Sequence, residues 1–288
     1  MLLKRAGHEI VAVSSRTLKS ARAAVKEIGG APAVGDVGMA ALGADLILLA
    51  VPDRAIPSVS IQIAAGGALR RGAVVAHLSG ALPAGVLTGV RAAGAHAGSM
   101  HPLQSFADVE TAVGILPGTY FFLEGDGEAI EVMRAVVLSI DGRALVIDSA
   151  AKPLYHAAAV AASNYVVTLV DFAAGLMAKA GVPPDAAMPA LLPLVQGTLR
   201  NLEAVGLPDA LTGPIARGDV GTVRNHLRAL RRAPGDLVRL YTALARKTVE
   251  VALRKGGLER AAAEAILRLL AADETTPPEE PPPPAAAS

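Results

Sequence analysis

The stretch HEIVAVSSRT, residues 8–17, decides the fold that we predict for this chain. A short apolar run, Ile10 to Val13, leads into a polar turn. Residues 17–28 then show the apolar spacing of an amphipathic helix. A buried strand, a turn and a helix in this order are typical of a sheet that carries helices on both faces.

The same alternation continues to about residue 148. Further apolar strands are predicted at 44–51, 72–79, 118–125 and 143–149, with a second helix over 128–140. The runs at 44–51 and 72–79, like the first strand, are continuously apolar, as strands covered on both faces should be. Strands that alternate with helices imply right-handed crossovers. We therefore predict an α/β fold, with a doubly wound parallel sheet over residues 1–148.

Beyond this region the strand signals stop. Residues 149–272 show only helical patterns and predict an all-helical C-terminal domain, with helices near 151–180, 185–205, 219–232, 234–256 and 258–271. The last residues, 273–288, are proline-rich and acidic with nothing to bury, and are predicted to be disordered.

The composition excludes several classes of function. The 27 basic and 26 acidic residues nearly cancel, so no electrostatic footprint for nucleic acid is present. There is no cysteine and no His-x-x-x-His pair, which leaves little from which to build a metal site. The apolar segment 157–178 contains Asn164 and Asp171, which favours a buried helix over a membrane span. We expect a cytoplasmic protein, because the first apolar run is too short for a signal sequence.

The first strand signal has the features of the second strand in a dinucleotide-binding sheet, which ends at the adenine ribose. An acidic residue there would select NAD. This strand ends instead in Ser14, Ser15, Arg16 and Thr17. Hydroxyls and a guanidinium suit a 2′-phosphate, so the turn favours NADP. The alternative is a polar strand end with Arg16 in solvent.

Other strand ends offer further cofactor contacts. Val51, Pro52 and Asp53 follow an apolar strand and are predicted to lie against the nicotinamide half of the cofactor; an ordinary strand followed by a proline-started helix explains them equally well. Ser79 and Gln104 could supply hydroxyl and amide contacts to a carboxylate or to the nicotinamide amide, or be turn residues.

Three motifs after the sheet give a specific resemblance: GSMHPLQSF (98–106), KPLYHAAAVAASNYVVTL (152–169) and ALTGPIARGD (210–219). In this order they resemble the Rossmann-like oxidoreductase family whose C-terminal helical half is a domain of unknown function. That family is related to pyrroline-5-carboxylate reductase and the deazaflavin-dependent NADP oxidoreductases. The resemblance implies an NADP-binding domain, a helical domain that forms a homodimer, and a reductase or dehydrogenase activity. The turn at residues 15–17 is similar to the Asn-Arg-Ser/Thr turn that grips the 2′-phosphate in pyrroline-5-carboxylate reductases.

The topology of the resembled fold draws attention to the N-terminus. In the strand order 3-2-1-4-5-6, the first strand is central and leads into a Gly-x-Gly-x-x-Gly loop. Both are absent here, because the sequence begins with what reads as the end of the first helix. We expect the natural protein to begin about 20 to 30 residues further upstream, and an in-frame stop just before Met1 would refute this. A chain complete as printed should bind NADP poorly and leave a gap beside residues 10–13.

His101 is the first candidate for chemistry. Hydride transfer needs one group that gives or takes a proton at the substrate oxygen or nitrogen. His101 precedes a proline, which favours an extended backbone at the carboxyl edge of the sheet. The His-Pro pair also resembles the His-Pro-Met stretch of prephenate dehydrogenases, where the histidine meets the substrate hydroxyl. The alternative is a histidine that only shapes its loop.

Lys152 and His156 are predicted to share one face at the start of the long helix, because they are four residues apart. Ser163 returns to that face and Asn164 lies about 100° further on, so both are candidates for substrate binding. Lys152 resembles the catalytic lysine of 3-hydroxyacid dehydrogenases, although His156 stands where those enzymes have asparagine. A helix-start lysine in solvent is the alternative.

Arg217 is predicted to bind an anion of the substrate by reaching across a dimer; the competing interpretation is a helix start capped by Asp219. Together these residues predict an NADP-dependent oxidoreductase that acts on a small carbonyl, imine or hydroxy acid between the two domains. The alternative is a non-catalytic NADP-binding regulatory or sensor protein. No metal is expected at the site.

Overall fold

The computed structural model describes residues 1–231 and 235–274, in two compact units, Met1–Tyr165 and Val166–Ser288. The tail prediction beyond residue 274 lies outside the described residues. The strands are β1 (Val13–Ser14), β2 (Ala33–Val34), β3 (Leu46–Leu49), β4 (Val74–His77), β5 (His96–Pro102), β6 (Tyr120–Gly125) and β7 (Arg143–Val146). The α-helices are α1 (Leu2–Arg5), α2 (Leu18–Ile28), α3 (Val37–Ala41), α4 (Ile56–Ala65), α5 (Val109–Ile115), α6 (Gly127–Ser139), α7 (Lys152–Ala162), α8 (Asn164–Lys179), α9 (Pro184–Val205), α10 (Val220–Leu230), α11 (Gly235–Lys255) and α12 (Arg260–Glu274).

The larger sheet of the first unit has the strand order β3-β4-β5-β6-β7 and is covered on both faces. Successive side chains of a strand point to opposite faces. Val75 of β4 packs in the same cluster as Ile56 and Ile63 of α4, whereas its neighbour Val74 packs in the cluster of Met133 from α6. The predicted doubly wound α/β architecture is therefore confirmed.

One strand pair departs from the predicted parallel sheet. β6 runs antiparallel to β5 and parallel to β7, while β3, β4 and β5 are parallel to one another. The connection after β5 contains only the short helix α5, and Leu103 N–H already donates to the carbonyl of Tyr120 at 2.8 Å. The chain therefore enters β6 at the same edge of the sheet at which β5 ends, and the two strands are antiparallel. A parallel strand would need a crossover to the opposite edge.

The first predicted strand is shorter than expected. Its ladder contains only Val13 and Ser14, which pair with Ala33 and Val34 of β2 in a separate two-stranded sheet. A strand needs a partner for its backbone groups, and the described residues supply a ladder partner to this segment only at those two positions. The helix predicted after it is confirmed as α2.

The helix predicted over 151–180 is broken in two. Ser163 separates α7 from α8 with a backbone of φ −120° and ψ −72°, outside the helical region. One run in the described residues, Ser149–Lys179, is long and apolar enough to cross a membrane by length and composition alone. This is weak evidence for a span. The buried helix that the sequence predicts is not observed, because no residue of segment 157–178 is buried.

The second unit has its own apolar core, formed by helices at the positions that the sequence predicts. Its members come mainly from α10, α11 and α12, with Val223, Val249, Ile266 and Leu270 all buried. Several large apolar side chains of α8 and α9 remain exposed, among them Val167 at 72% and Leu194 at 68%.

Candidate active site

The polar side chains of the first unit converge where the parallel strands β3, β4 and β5 end. Asp53 follows β3, Ser79 and Gly80 follow β4, and His101 lies near the end of β5. In doubly wound sheets ligands bind outside the carboxyl ends of the strands. The location is therefore that of a ligand site.

A buried polar row crosses three strands at one level. In the strand register, Ser99 lies between His77 on one side and Glu124 on the other. All three side chains are buried, on a sheet face that is otherwise packed with aliphatic residues. The antiparallel direction of β6 places Glu124 directly opposite Ser99.

Lys152 contacts this row through Ser99 and Glu124. It is the first residue of α7, is only 1% exposed, and donates from Nζ to Ser99 Oγ. Its Nζ lies 4.0 Å from Glu124 Oε2. Burial lowers the pKa of Lys152 to about 8, against the opposing pull of the Glu124 and Asp53 carboxylates. The alternative of a helix-start lysine in solvent does not hold, and this ammonium can exchange its proton near neutral pH.

His101 is held by a tyrosine that the sequence analysis did not single out. Its Nδ1 lies 2.6 Å from the Tyr155 hydroxyl, and the Tyr155 ring packs on Phe122 with centroids 4.2 Å apart. Burial, followed by the charges of Lys152 and His156, lowers the pKa of His101 to about 4. Burial raises the pKa of Tyr155 to about 12. Both rings are therefore neutral at neutral pH.

Gly80 lies between two imidazoles. A Cβ added there would stand 2.8 Å from His101 Nε2 and 2.9 Å from His156 Cδ2. The two rings themselves are 6.5 Å apart between centroids. Only a residue without a side chain allows them to approach the loop backbone this closely.

The loop at residues 79–84 begins on Ser79. Its hydroxyl donates to Asp53 Oδ2 at 2.8 Å and accepts the backbone N–H groups of Ala81 and Leu82 at 3.2 and 3.1 Å. Ser79 is thus a turn residue, one of the two roles that the sequence leaves open, and it also holds Asp53; its contact with a ligand stays a prediction.

The rest of the loop is held by the buried side chain of His77. His77 Nδ1 accepts the Ser79 N–H at 3.2 Å, so its Nε2 is assigned the proton and donates to the Pro83 carbonyl at 3.2 Å. Burial, followed by the charge of Lys152, lowers the pKa of His77 to about 4. Loop 79–84 is therefore fixed by a neutral histidine at neutral pH.

The turn after β1 presents the groups predicted to hold the cofactor. Ser14 Oγ is buried and has no hydrogen-bond partner among the described residues. Ser15 is half-buried and Arg16 is exposed, while Thr17 caps α2 by accepting the Ser20 N–H at 3.1 Å. An orphaned buried hydroxyl followed by an exposed guanidinium leaves both groups available to a ligand.

The remaining predicted residues lie in other surroundings. Val51 packs against the core beside β3, and Pro52 is exposed. Gln104 is exposed and its Oε1 accepts the N–H of Ser105 at 2.9 Å. Within the described part of the chain, none of these three residues forms a hydrogen bond with His101 or Lys152.

Three predicted residues follow the site helix in the chain. Ser163 is exposed at the break after α7, and Asn164 begins α8. Arg217 belongs to the second unit and is exposed. Asp219 caps α10 by accepting the Thr222 N–H at 2.9 Å, as the competing interpretation of that motif expects.

Sequence reasoning missed the residues that surround the predicted ones: Tyr155, Ser99, Glu124, His77 and Gly80. Two of them left a signal. Glu124 is a charge inside the apolar run YFFLEG, and His77 lies inside GAVVAHLS. Buried charges and imidazoles are costly unless they are paired, so each such residue marks a partner elsewhere in the fold.

Comparisons with known proteins agree with this architecture. The profile of a Rossmann-like domain matches residues 1–102, and that of a domain of unknown function, DUF2520, matches residues 119–248. No curated protein matches the chain.

Solved structures are similar over most of the chain. Protein TM1727 from Thermotoga maritima is 28% identical, with a TM-score of 0.69, over 88% of this chain and 96% of that one. BF3122 from Bacteroides fragilis, named a "putative NADP oxidoreductase", is 30% identical, with a TM-score of 0.65, over 86% of this chain and 92% of that one. A pyrroline-5-carboxylate reductase from Coxiella burnetii shares the fold at 14% identity and a TM-score of 0.51, over 95% of this chain and 94% of that one.

Proposed function

Because the chain belongs to the Rossmann-like family that carries the DUF2520 domain, we propose that it is an NADP-dependent oxidoreductase. Its substrate is a small carbonyl, imine or hydroxy acid. The observation that supports this most directly is the convergence of Lys152, His101 and His156 at the carboxyl edge of the sheet. The name of the relative at 30% identity, an NADP oxidoreductase, is consistent with the proposal.

The turn after β1 fits the adenosine 2′-phosphate of NADP. Ser14 Oγ is a buried hydroxyl that lacks a partner among the described residues, and Arg16 is an exposed guanidinium beside it in sequence. Ser15 and Thr17 would add hydroxyl contacts, and Val51 and Pro52 would lie along the nicotinamide half. When bound, the cofactor supplies or accepts the hydride.

His101 takes the proton as a neutral imidazole in the oxidative direction and, once protonated, gives it back in the reductive direction. Its Nδ1 is held by Tyr155, which leaves Nε2, on the Gly80 side of the ring, to meet the substrate oxygen or nitrogen. A neutral imidazole donates a hydrogen bond from Nε2 in one tautomer and accepts a proton there in the other. Lys152 adds a positive charge close to His101, and this charge stabilises negative charge that develops on a substrate oxygen.

Turnover of NADPH with a panel of imines, aldehydes and oxo acids tests the proposal, as does the reverse reaction with hydroxy acids. We expect His101→Ala to lower kcat by about 10²- to 10⁴-fold, the usual contribution of a general acid or base. The chain offers a matched control in His226, whose Nδ1 lies 2.8 Å from the Tyr241 hydroxyl on α11. His226→Ala should remove an equivalent pair without this loss.

Tight NADPH binding with no turnover across the panel would contradict the catalytic proposal. It would favour the alternative, a protein that binds NADP for regulation or sensing. In that case His101→Ala should leave every measured ligand affinity unchanged.

We also propose that a second copy of the chain covers the exposed apolar residues of α7, α8 and α9, which include Leu154, Val167 and Leu194. Exposed apolar area of this kind is typical of an interface. Sedimentation should show a homodimer, in keeping with a cytoplasmic protein. A monomer at all concentrations, or recovery only with lipid vesicles, would contradict this.

A further inference from the structure

Glu124 is a charged residue that is buried in the protein. It is only 6% exposed and lies in β6 next to the fully buried Leu123. Removing a carboxylate from water is costly unless it is paired and hydrogen-bonded. Oε2 of Glu124 meets both conditions, because it accepts the Ala84 N–H at 2.7 Å and lies 4.0 Å from Lys152 Nζ.

The two partners of this oxygen belong to different parts of the site. Ala84 ends the loop at residues 79–84, in which Gly80 faces His101 and His156. Lys152 begins the helix that carries His156. One carboxylate oxygen therefore links the backbone of the loop to the first turn of the helix.

We propose that Glu124 is the positioning residue of this site: its carboxylate keeps the Lys152 ammonium charged and in place while it fixes the end of loop 79–84. The inference rests on the proposed function, in which Lys152 supplies positive charge and loop 79–84 sets the position of the imidazoles. Glu124 itself touches neither imidazole in the described contacts and acts through its two partners.

The surroundings of Lys152 make Glu124 the group best placed for this role. Asp53, after β3, is the other carboxylate that favours its charged form. Asp53 is exposed and already accepts the Ser79 hydroxyl, so solvent weakens its effect.

The other titratable groups near Lys152 are neutral at neutral pH. They are His77 from β4, His101 from β5, and Tyr155 from its own helix. The pKa of each histidine is lowered and that of Tyr155 is raised, so the uncharged form of each is favoured. His156 lies on the same helix and, like His101, lies against Gly80. The buried counter-charge to the ammonium is therefore Glu124.

Glu124→Gln separates the two parts of the role. The amide oxygen still accepts the Ala84 N–H, but the negative charge is lost. The titration of Lys152, followed by NMR in protein labelled with [13C]lysine and assigned with Lys152→Met, needs no substrate. We expect the Lys152 pKa to be lower in Glu124→Gln than in the wild type, because the carboxylate that favours the charged form is gone. Glu128→Gln, which changes an exposed glutamate on α6, should leave it unchanged.

The same variants are then compared in turnover. Glu124→Gln should lower kcat/KM at neutral pH by up to about 100-fold, the order expected for a misplaced group, and should move the basic limb of its pH profile to lower pH. A Lys152 titration and a pH profile that both superimpose on those of the wild type would overturn the inference.

Two further results keep the test decisive. If Glu124→Gln alone fails to fold, the double variant Glu124→Gln/Lys152→Met, which removes both buried charges, should fold as the wild type does; a double variant that is no better than the single one would contradict the pairing. If the wild type turns over none of the panel while the Lys152 pKa still falls in Glu124→Gln, the oxidoreductase proposal fails and the pairing of Glu124 with Lys152 stands.

Discussion

The close approach of two imidazoles to Gly80 makes Gly80→Ala the most direct test of the site. The new Cβ would stand 2.8 Å from both Cε1 and Nε2 of His101 and 2.9 Å from Cδ2 of His156. Carbon atoms in contact are about 3.5 to 4.0 Å apart, so the rings would have to retreat by about 0.7 Å or more. Forcing one extra methyl group into a packed site typically costs about 1 to 3 kcal/mol.

The retreat has a functional consequence as well as a cost in stability. The hydrogen bond between His101 Nδ1 and the Tyr155 hydroxyl is 2.6 Å long, so a ring that shifts by this amount loses the geometry that Tyr155 gives it. A displacement of about 1 Å at a reacting group can lower kcat by about 100-fold. We therefore expect Gly80→Ala to unfold at a lower denaturant concentration and to lose turnover.

Gly85 provides the matched control, because a Cβ added there meets nothing within 4 Å and the residue lies only five positions further along. Denaturant unfolding and NADPH turnover should be measured on both variants. Gly85→Ala should stay within about 0.5 kcal/mol of the wild type, as surface substitutions usually do. If Gly80→Ala unfolds and turns over like Gly85→Ala, the rings do not pack on the loop and the reasoning is refuted.

Three further predictions follow from the same structure. Tyr155→Phe removes the hydroxyl that holds His101 and should lower kcat at least tenfold with little effect on cofactor binding; an unchanged kcat would remove Tyr155 from the site. His77 is neutral when folded, with a pKa of about 4 against 6.5 when unfolded, so its contribution to the free energy of unfolding should be fully retained above pH 6.5 and fall by about 3 kcal/mol as the pH drops to about 4. Chemical denaturation across this range should show that loss in the wild type and a smaller one in His77→Asn. Arg16→Ala should weaken NADPH binding about 10- to 100-fold and leave NADH binding unchanged; equal losses for both cofactors, by fluorescence titration, would place the 2′-phosphate elsewhere.

The sequence predicted the architecture well because buried strands and amphipathic helices have distinct periodicities. The apolar run around Val75 and the helix 17–28 could be placed from their patterns alone, and both are confirmed. The direction of β6 could not be predicted, since the pattern of an apolar run is the same beside a parallel and beside an antiparallel neighbour. Only the length of the preceding connection bears on it.

The site was predictable in part for a related reason. His101 and Lys152 belong to recognisable local motifs, so the sequence alone could name them. Ser99 and Glu124 acquire their roles through strand register, which joins residues far apart in the chain. The break at Ser163 was also hidden, because the alanine-rich sequence before it favours a helix and no proline or glycine follows until Gly175.

The antiparallel pairing of β5 with β6 also determines where this protein can change length over evolution. A strand that slips by one residue turns every side chain to the opposite face of the sheet. Glu124 would then exchange places with Leu123, so that a carboxylate entered the apolar cluster around Met133 while a leucine faced Lys152. Insertions and deletions should be tolerated in the connection at residues 103–119, which can absorb them before β6 begins. A single insertion within residues 120–124 should remove the fold and the chemistry together.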